Sequence, residues 1–200
     1  MRNEILLLLF ITIGITIIPF IMYHLFVNMK KCKKTSNQDK SEINAISKEL
    51  YEKLKTIKPN EYGYYPCIVT LKNGKIQDRV YIVDTKTFIK TWGYHPSEEK
   101  AKRLIQINDI TNVMESPSRL PSYYANKLHK AGETRMGSVI AEYIFSDGTT
   151  QSLINAHDFI EYPNGKTAKD IKDVISHKWN KDDLKNGPQF YYSIYDGIES

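Results

Sequence analysis

Cysteine is scarce: Cys32 and Cys67 are the two thiols in a chain of 200 residues. Cys32 lies in a lysine cluster and Cys67 opens an apolar strand, so a disulfide scaffold is excluded and a reducing compartment is favoured. Neither a Cys-x-x-Cys nor a His-Glu-x-x-His spacing occurs, so no local motif builds a zinc site. The glycines are scattered at turns and make no loop that could cradle a phosphate. A Gly-x-Ser-x-Gly nucleophile elbow is also missing. No internal repeat and no low-complexity tract is read. The formal net charge of +5 comes largely from Lys30, Lys31, Lys33 and Lys34. The remainder carries no basic face, and nucleic acid is excluded as a partner.

What is present begins with a long apolar run. No charged residue stands in 5–27, and the four lysines follow it. A helix of this length spans a bilayer core of roughly 30 Å. No small-residue pair marks a cleavage site, Pro19 is tolerable as a kink, and Tyr23, His24 and Phe26 suit the headgroup zone. The expectation is a transmembrane anchor over 1–29 and a basic juxtamembrane linker over 30–40. The lysines would contact anionic lipid and keep the C-terminal domain cytoplasmic, with the N-terminus outside. Richness in Lys, Ile, Asn and Tyr with little Ala fits an AT-rich bacterial genome, hence a bacterial inner membrane.

Next comes an amphipathic helix over 41–58. Ile43, Ile46, Leu50, Leu54 and Ile57 form one stripe on it, which packs on its own domain or pairs copies through 41–57. The expected fold class is α+β, a mainly antiparallel β domain over 62–178 with two or three helices. Strands are expected at 66–71 and 75–83 around an Asn73-Gly74 type I′ turn, then at 87–92 and 103–108, continued by 109–113. Over 66–115 this pattern resembles a small SH3-like or Sm-like barrel, a fold that hosts many functions. Beyond it, Ser122 caps a helix to Lys130, stopped by Gly132. Strands follow at 137–145, 150–154 and 157–162. A final helix over 167–177 is capped by Thr167 with Asp170, and Ile171, Val174 and Ile175 form its buried face. An aromatic arm, 179–200, closes the chain with Phe190, Tyr191, Tyr192 and Tyr195.

Candidate chemistry is sparse. His157 and Asp158 could form an acid–base pair, but adjacent strand residues point to opposite faces. Cys67 in an apolar strand reads as an inert core thiol. Arg119, set between prolines with Tyr123 and Tyr124 nearby, suits recognition of a carboxylate or phosphate. Arg135 lies in a charged loop, 130–137, that could hold a ligand. The binding face is therefore placed on Arg119, Tyr123, Tyr124 and Arg135, with no catalytic residue, metal or cofactor. The functional expectation is a single-pass, membrane-anchored cytoplasmic binding protein with a protein partner, in one form a bacterial toxin-immunity protein. The rivals are a membrane-anchored hydrolase-like enzyme and an oligomerising structural membrane protein.

Overall fold

Turn chemistry sets the first hairpin. A computed structural model describes residues 44–134, 138–176 and 185–199. Strand β1 (Tyr65–Leu71) pairs antiparallel with β2 (Ile76–Asp84). Between them the Leu71 N–H donates to Lys75 O and the Gly74 N–H donates to Leu71 O. Gly74 has φ 79°, while Asn73 keeps a negative φ and its side chain accepts from the Lys75 N–H at 2.9 Å. The loop is thus a type I turn closed by a left-handed glycine, not the two-residue type I′ turn expected. β3 (Ile110–Glu115) pairs antiparallel with β1, and β8 (Tyr191–Tyr195) adds parallel to β2, giving the order β3-β1-β2-β8.

Helix α1 (Lys48–Lys55) covers one face of this sheet. Ser47 caps it by accepting from the Leu50 N–H. Ile46, Leu50, Leu54 and Ile57 are buried against Cys67, Val69, Val80, Ile82 and Val113. These four residues of the stripe are consumed by the domain's own core, which corrects the expected self-association through 41–57; Ile43 lies outside the described residues. The segment expected as a strand at 87–92 is instead helix α2 (Thr85–Trp92). Asp84 caps it by accepting from the Thr87 N–H at 2.9 Å, and Gly93, at φ 76°, ends it. The caps outweigh the strand preference of Thr and Ile. At 103–108 there is a lone parallel bridge, Leu104 to Tyr192, and then a 3₁₀ turn, Ile107–Asp109.

A second sheet follows helix α3 (Ser122–Ala131). β4 (Ile140–Phe145) pairs antiparallel with both β5 (Thr150–Ile154) and β6 (Ile171–Ser176), and β7 (Lys185–Asn186) adds parallel to β5. The order is β6-β4-β5-β7. The capping box of Thr167 and Asp170 is present, but it closes one 3₁₀ turn, Ala168–Asp170, and the chain then enters β6 instead of a helix. A register shift at Ile144/Phe145 sets Ile171 and Val174 inward three residues apart, a spacing that imitates a helix. Around 157–162 the pairing is a single bridge, Arg119 to Phe159.

The two sheets repeat one another, which corrects the reading of no internal repeat. Each unit is a helix, a hairpin and a third strand: α1, β1, β2, β3, and then α3, β4, β5, β6. Gly148, at φ 83°, repeats Gly74, and Asp147 accepts from the Thr149 N–H as Asn73 does from Lys75. The pair Leu71–Ile110 matches Phe145–Ile171, Val69–Val113 matches Tyr143–Val174, and both ladders shift register at the same point. The Lys72 N–H donates to Asp109 O and the Ser146 N–H to Asp170 O, both at 2.8 Å. Asp109-Ile110-Thr111-Asn112-Val113 and Asp170-Ile171-Lys172-Asp173-Val174 are the matching third-strand sequences.

Both sheets are open, so the barrel expected over 66–115 is not formed: β1 to β3 are completed by the distant β8. Among the described residues no helix is long and apolar enough to cross a membrane. The anchor expected over 1–29 and Lys30, Lys31, Lys33 and Lys34 lie outside the described residues. The reading of a single-pass membrane protein with a lipid partner is corrected to what the described residues form, an α+β domain with three helices and two small mixed sheets.

Candidate functional site

Arg119 is 7% exposed. Its guanidinium pairs with Glu115 and donates to Ser122 Oγ at 3.1 Å, while Tyr162 donates to its carbonyl at 2.7 Å. Tyr124 donates to Lys172 O at 2.8 Å, tying α3 to β6. Tyr123 is 75% exposed, its ring 5.3 Å from that of Tyr124. Arg135 lies outside the described residues. Cys67 is buried, and burial pushes its thiol far up, which keeps it protonated.

Two clusters lie in the connections from the second to the third strand of each unit; the sequence offered His157 and Asp158 of one as an acid–base pair and Tyr192 of the other as part of the aromatic arm. The β5–β6 connection carries Asp158, 3% exposed. Its Oδ2 accepts from Asn60 Nδ2 at 2.8 Å and from the Tyr81 hydroxyl at 2.9 Å. His129 Nε2 on α3 lies 3.6 Å from Oδ1, too long for a hydrogen bond, and is buried without another partner. His157 stacks on His129 at 5.4 Å, and Tyr62 meets the His129 ring edge-on at 4.9 Å. Burial pushes the Asp158 carboxyl up, but His129, Asn60 and Tyr81 outweigh it and hold the group below the usual carboxylate range. Burial, then the His129 ring, pushes the His157 imidazole down. Next in sequence, Phe159 joins one buried cluster with Tyr81, Val83 and Tyr192 of the first sheet and Phe88 of the helix that follows β2. The Leu120 N–H donates to Asp158 O and the Ile160 N–H to Ser118 O, so this connection fastens the two units together.

The β2–β3 connection carries a different arrangement. Phe88 and Trp92 are four apart on α2 and share one face. The left-handed Gly93 turns the chain so that Tyr94 faces Phe88, with ring centroids 5.8 Å apart. Tyr192 comes from β8. These four rings surround the Lys102 ammonium, whose Nζ stands 3.8 Å from the Trp92 centroid, 5.4 Å from Tyr94, 5.5 Å from Phe88 and 5.7 Å from Tyr192. All four lie within cation–π range. Lys102 also pairs with Glu99 and donates to the Tyr94 hydroxyl at 2.7 Å. Tyr94 donates to Glu99 as well, and the N–H groups of Ala101 and Lys102 donate to the other carboxylate oxygen. Burial pushes the Glu99 carboxyl up, yet these donors outweigh it and hold it at about 2. For Lys102, burial pushes the ammonium down, but Glu99 and Tyr94 prevail and raise it.

The backbone beyond Lys102 is pinned. Tyr192 donates its N–H to Arg103 O, and the Ile105 N–H donates to Tyr192 O, both at 2.8 Å. The Lys102 side chain is 15% exposed, and Trp92, the ring nearest its ammonium, is 43% exposed. A strand would have sent Phe88 and Trp92 to one face without grouping them with Tyr94; the legible signal was Asp84 and Gly93 bracketing a helix. Among the described residues no cluster of three or more His, Cys, Asp or Glu could hold a metal ion. No known protein family, curated protein or solved structure matches this chain.

Proposed function

We propose that this domain is a binding module that takes a cationic organic group, of the alkylammonium class, at the aromatic site of the β2–β3 connection. The observation that carries the reading is the set of four rings and one ionised carboxylate gathered about a single ammonium, open to the surface beside Trp92. Ring faces offer a cation an electrostatic well with little need for hydrogen bonds, and a quaternary ammonium, being weakly hydrated, gains most from it. Glu99 supplies the opposite charge at the floor of the site. Nothing here requires bond chemistry, and binding rather than catalysis is the activity assigned.

Calorimetric titration of the full chain with tetramethylammonium tests the proposal. Trp92→Ala is expected to weaken binding about tenfold or more, the scale of a desolvated cation–π contact. Equal binding by wild type and Trp92→Ala would move the cation elsewhere on the molecule, and a silent wild type together with a silent Lys102→Ala variant would remove the site altogether.

A further inference from the structure

We infer that Lys102 is a resident stand-in for the ligand: it occupies the aromatic site in the free protein and swings out when an alkylated ammonium enters. The inference rests on the binding reading above and adds its regulation. The geometry separates what is fixed from what can move. Backbone hydrogen bonds between 103–105 and Tyr192 hold the loop on β8, and the Lys102 N–H is kept by Glu99. The hydrogen bonds and the ion pair of the Lys102 side chain are all made by its ammonium, to Glu99 and Tyr94 beside the rings, and none fixes its four-carbon stem. Its side chain is partly exposed beside the exposed Trp92, and on the displacement inferred here it leaves in that direction.

Exchange is chemically balanced. The departing ammonium is a compact, strongly hydrated charge that recovers its water outside. The entering alkylammonium restores a positive charge opposite Glu99 and covers the four rings with methyl groups, at a smaller dehydration cost. Tyr94 can keep its hydrogen bond to Glu99 throughout. The site therefore never holds an unpaired carboxylate. A primary ammonium from outside has no such advantage over Lys102, which is already in place at high effective concentration. The resident lysine thereby selects for alkylation of the incoming group.

The test compares wild type, Lys102→Met, Lys102→Ala and Lys102→Met/Trp92→Ala as full chains, titrated with tetramethylammonium, choline, and a peptide bearing either trimethyllysine or lysine. A site that must first be vacated binds more weakly by the fraction of molecules in which it is vacant, so both single Lys102 variants are expected to bind tetramethylammonium about tenfold tighter than wild type or more. Adding Trp92→Ala should abolish the gain. In wild type, the side-chain proton signals of Lys102, displaced upfield by the rings, should return toward ordinary values as tetramethylammonium saturates the site; this readout needs no variant to fold. Tighter binding of the trimethyllysine peptide than of choline assigns the ammonium to a protein, and the reverse assigns it to a small molecule. Equal affinity with and without Lys102, with its signals unmoved, overturns the displacement while leaving a cation site in place. Absence of binding in wild type and in both Lys102 variants overturns the site and the displacement together.

Discussion

The β2–β3 and β5–β6 connections occupy the same position in two copies of one α-β-β-β unit, and each places a charge among aromatic rings. They have diverged in what the charge does. Asp158 is short, buried, and bonded to side chains from outside its own unit, Asn60 and Tyr81. Its phenyl neighbour Phe159 is inserted into the first unit's aromatic core. Lys102 is long, partly exposed, and draws every partner from the same connection or from β8. A charge that joins units must stay, because withdrawing it strands buried donors. A charge on a flexible, partly exposed stem can exchange. Equivalent loops on a repeated frame thus serve cohesion in one copy and, in the function proposed above, recognition in the other.

The largest break in that comparison comes from Asp158→Ala. It strips the partner from Asn60 and Tyr81 and is expected to destabilise the protein by about 3 kcal/mol in urea unfolding, the range for a broken buried charge network. A loss under about 1 kcal/mol, the worth of an ordinary hydrogen bond, would deny the connection its joining role. Arg119→Ala comes next. Its guanidinium is held by Glu115 and Ser122 inside the joint between units, so the expected cost is about 2 kcal/mol. Were Arg119 instead a contact for a partner, stability would hardly change.

Acid sharpens the other side. The Glu99 carboxyl is depressed from its ordinary 4.5 to about 2 in the folded protein. Its stabilising contribution is therefore complete above about pH 4.5 and fades as pH falls toward 2. Glu99→Gln should flatten that part of the stability–pH curve, followed by urea midpoints, and an unchanged slope would mean that the Lys102, Tyr94 and backbone donors do not hold Glu99 ionised. The smallest effect belongs to Tyr123→Ala, at an exposed ring, within about 0.5 kcal/mol of wild type. A larger loss would show that Tyr123 braces Tyr124 on α3.

Legibility followed locality. Both hairpins were readable from Asn73-Gly74 and Asp147-Gly148, since a left-handed glycine is a local demand. The α1 stripe was readable because its spacing matches its burial. Helix α2 was hidden by β-favouring Thr85, Thr87, Ile89 and Thr91, although Asp84 and Gly93 mark its ends. β6 was hidden by a register shift that turns an alternating pattern into a spacing of three. The same shift in β3 is what makes the repeat visible once seen, through Asp-Ile-x-Asx-Val in both third strands. His157 and Asp158 were read as a pair, but neither charged cluster could be assembled, because Tyr192 reaches Lys102, and Asn60 and Tyr81 reach Asp158, across long stretches of chain. Arg119 was singled out for its rigid flanks, whereas its partners, Glu115, Ser122 and Tyr162, could not be read from them.

The parallel pairing of β8 with β2 carries a consequence for biosynthesis. A chain still growing on the ribosome can close the hairpin and third strand of either unit as those residues emerge. The edge of β2 from Val80 to Asp84 must nevertheless wait, uncovered, until Tyr191–Tyr195 has been made. During that interval the nascent protein presents a bare apolar strand edge, the kind of surface that chaperones shield and that premature termination would leave permanently exposed.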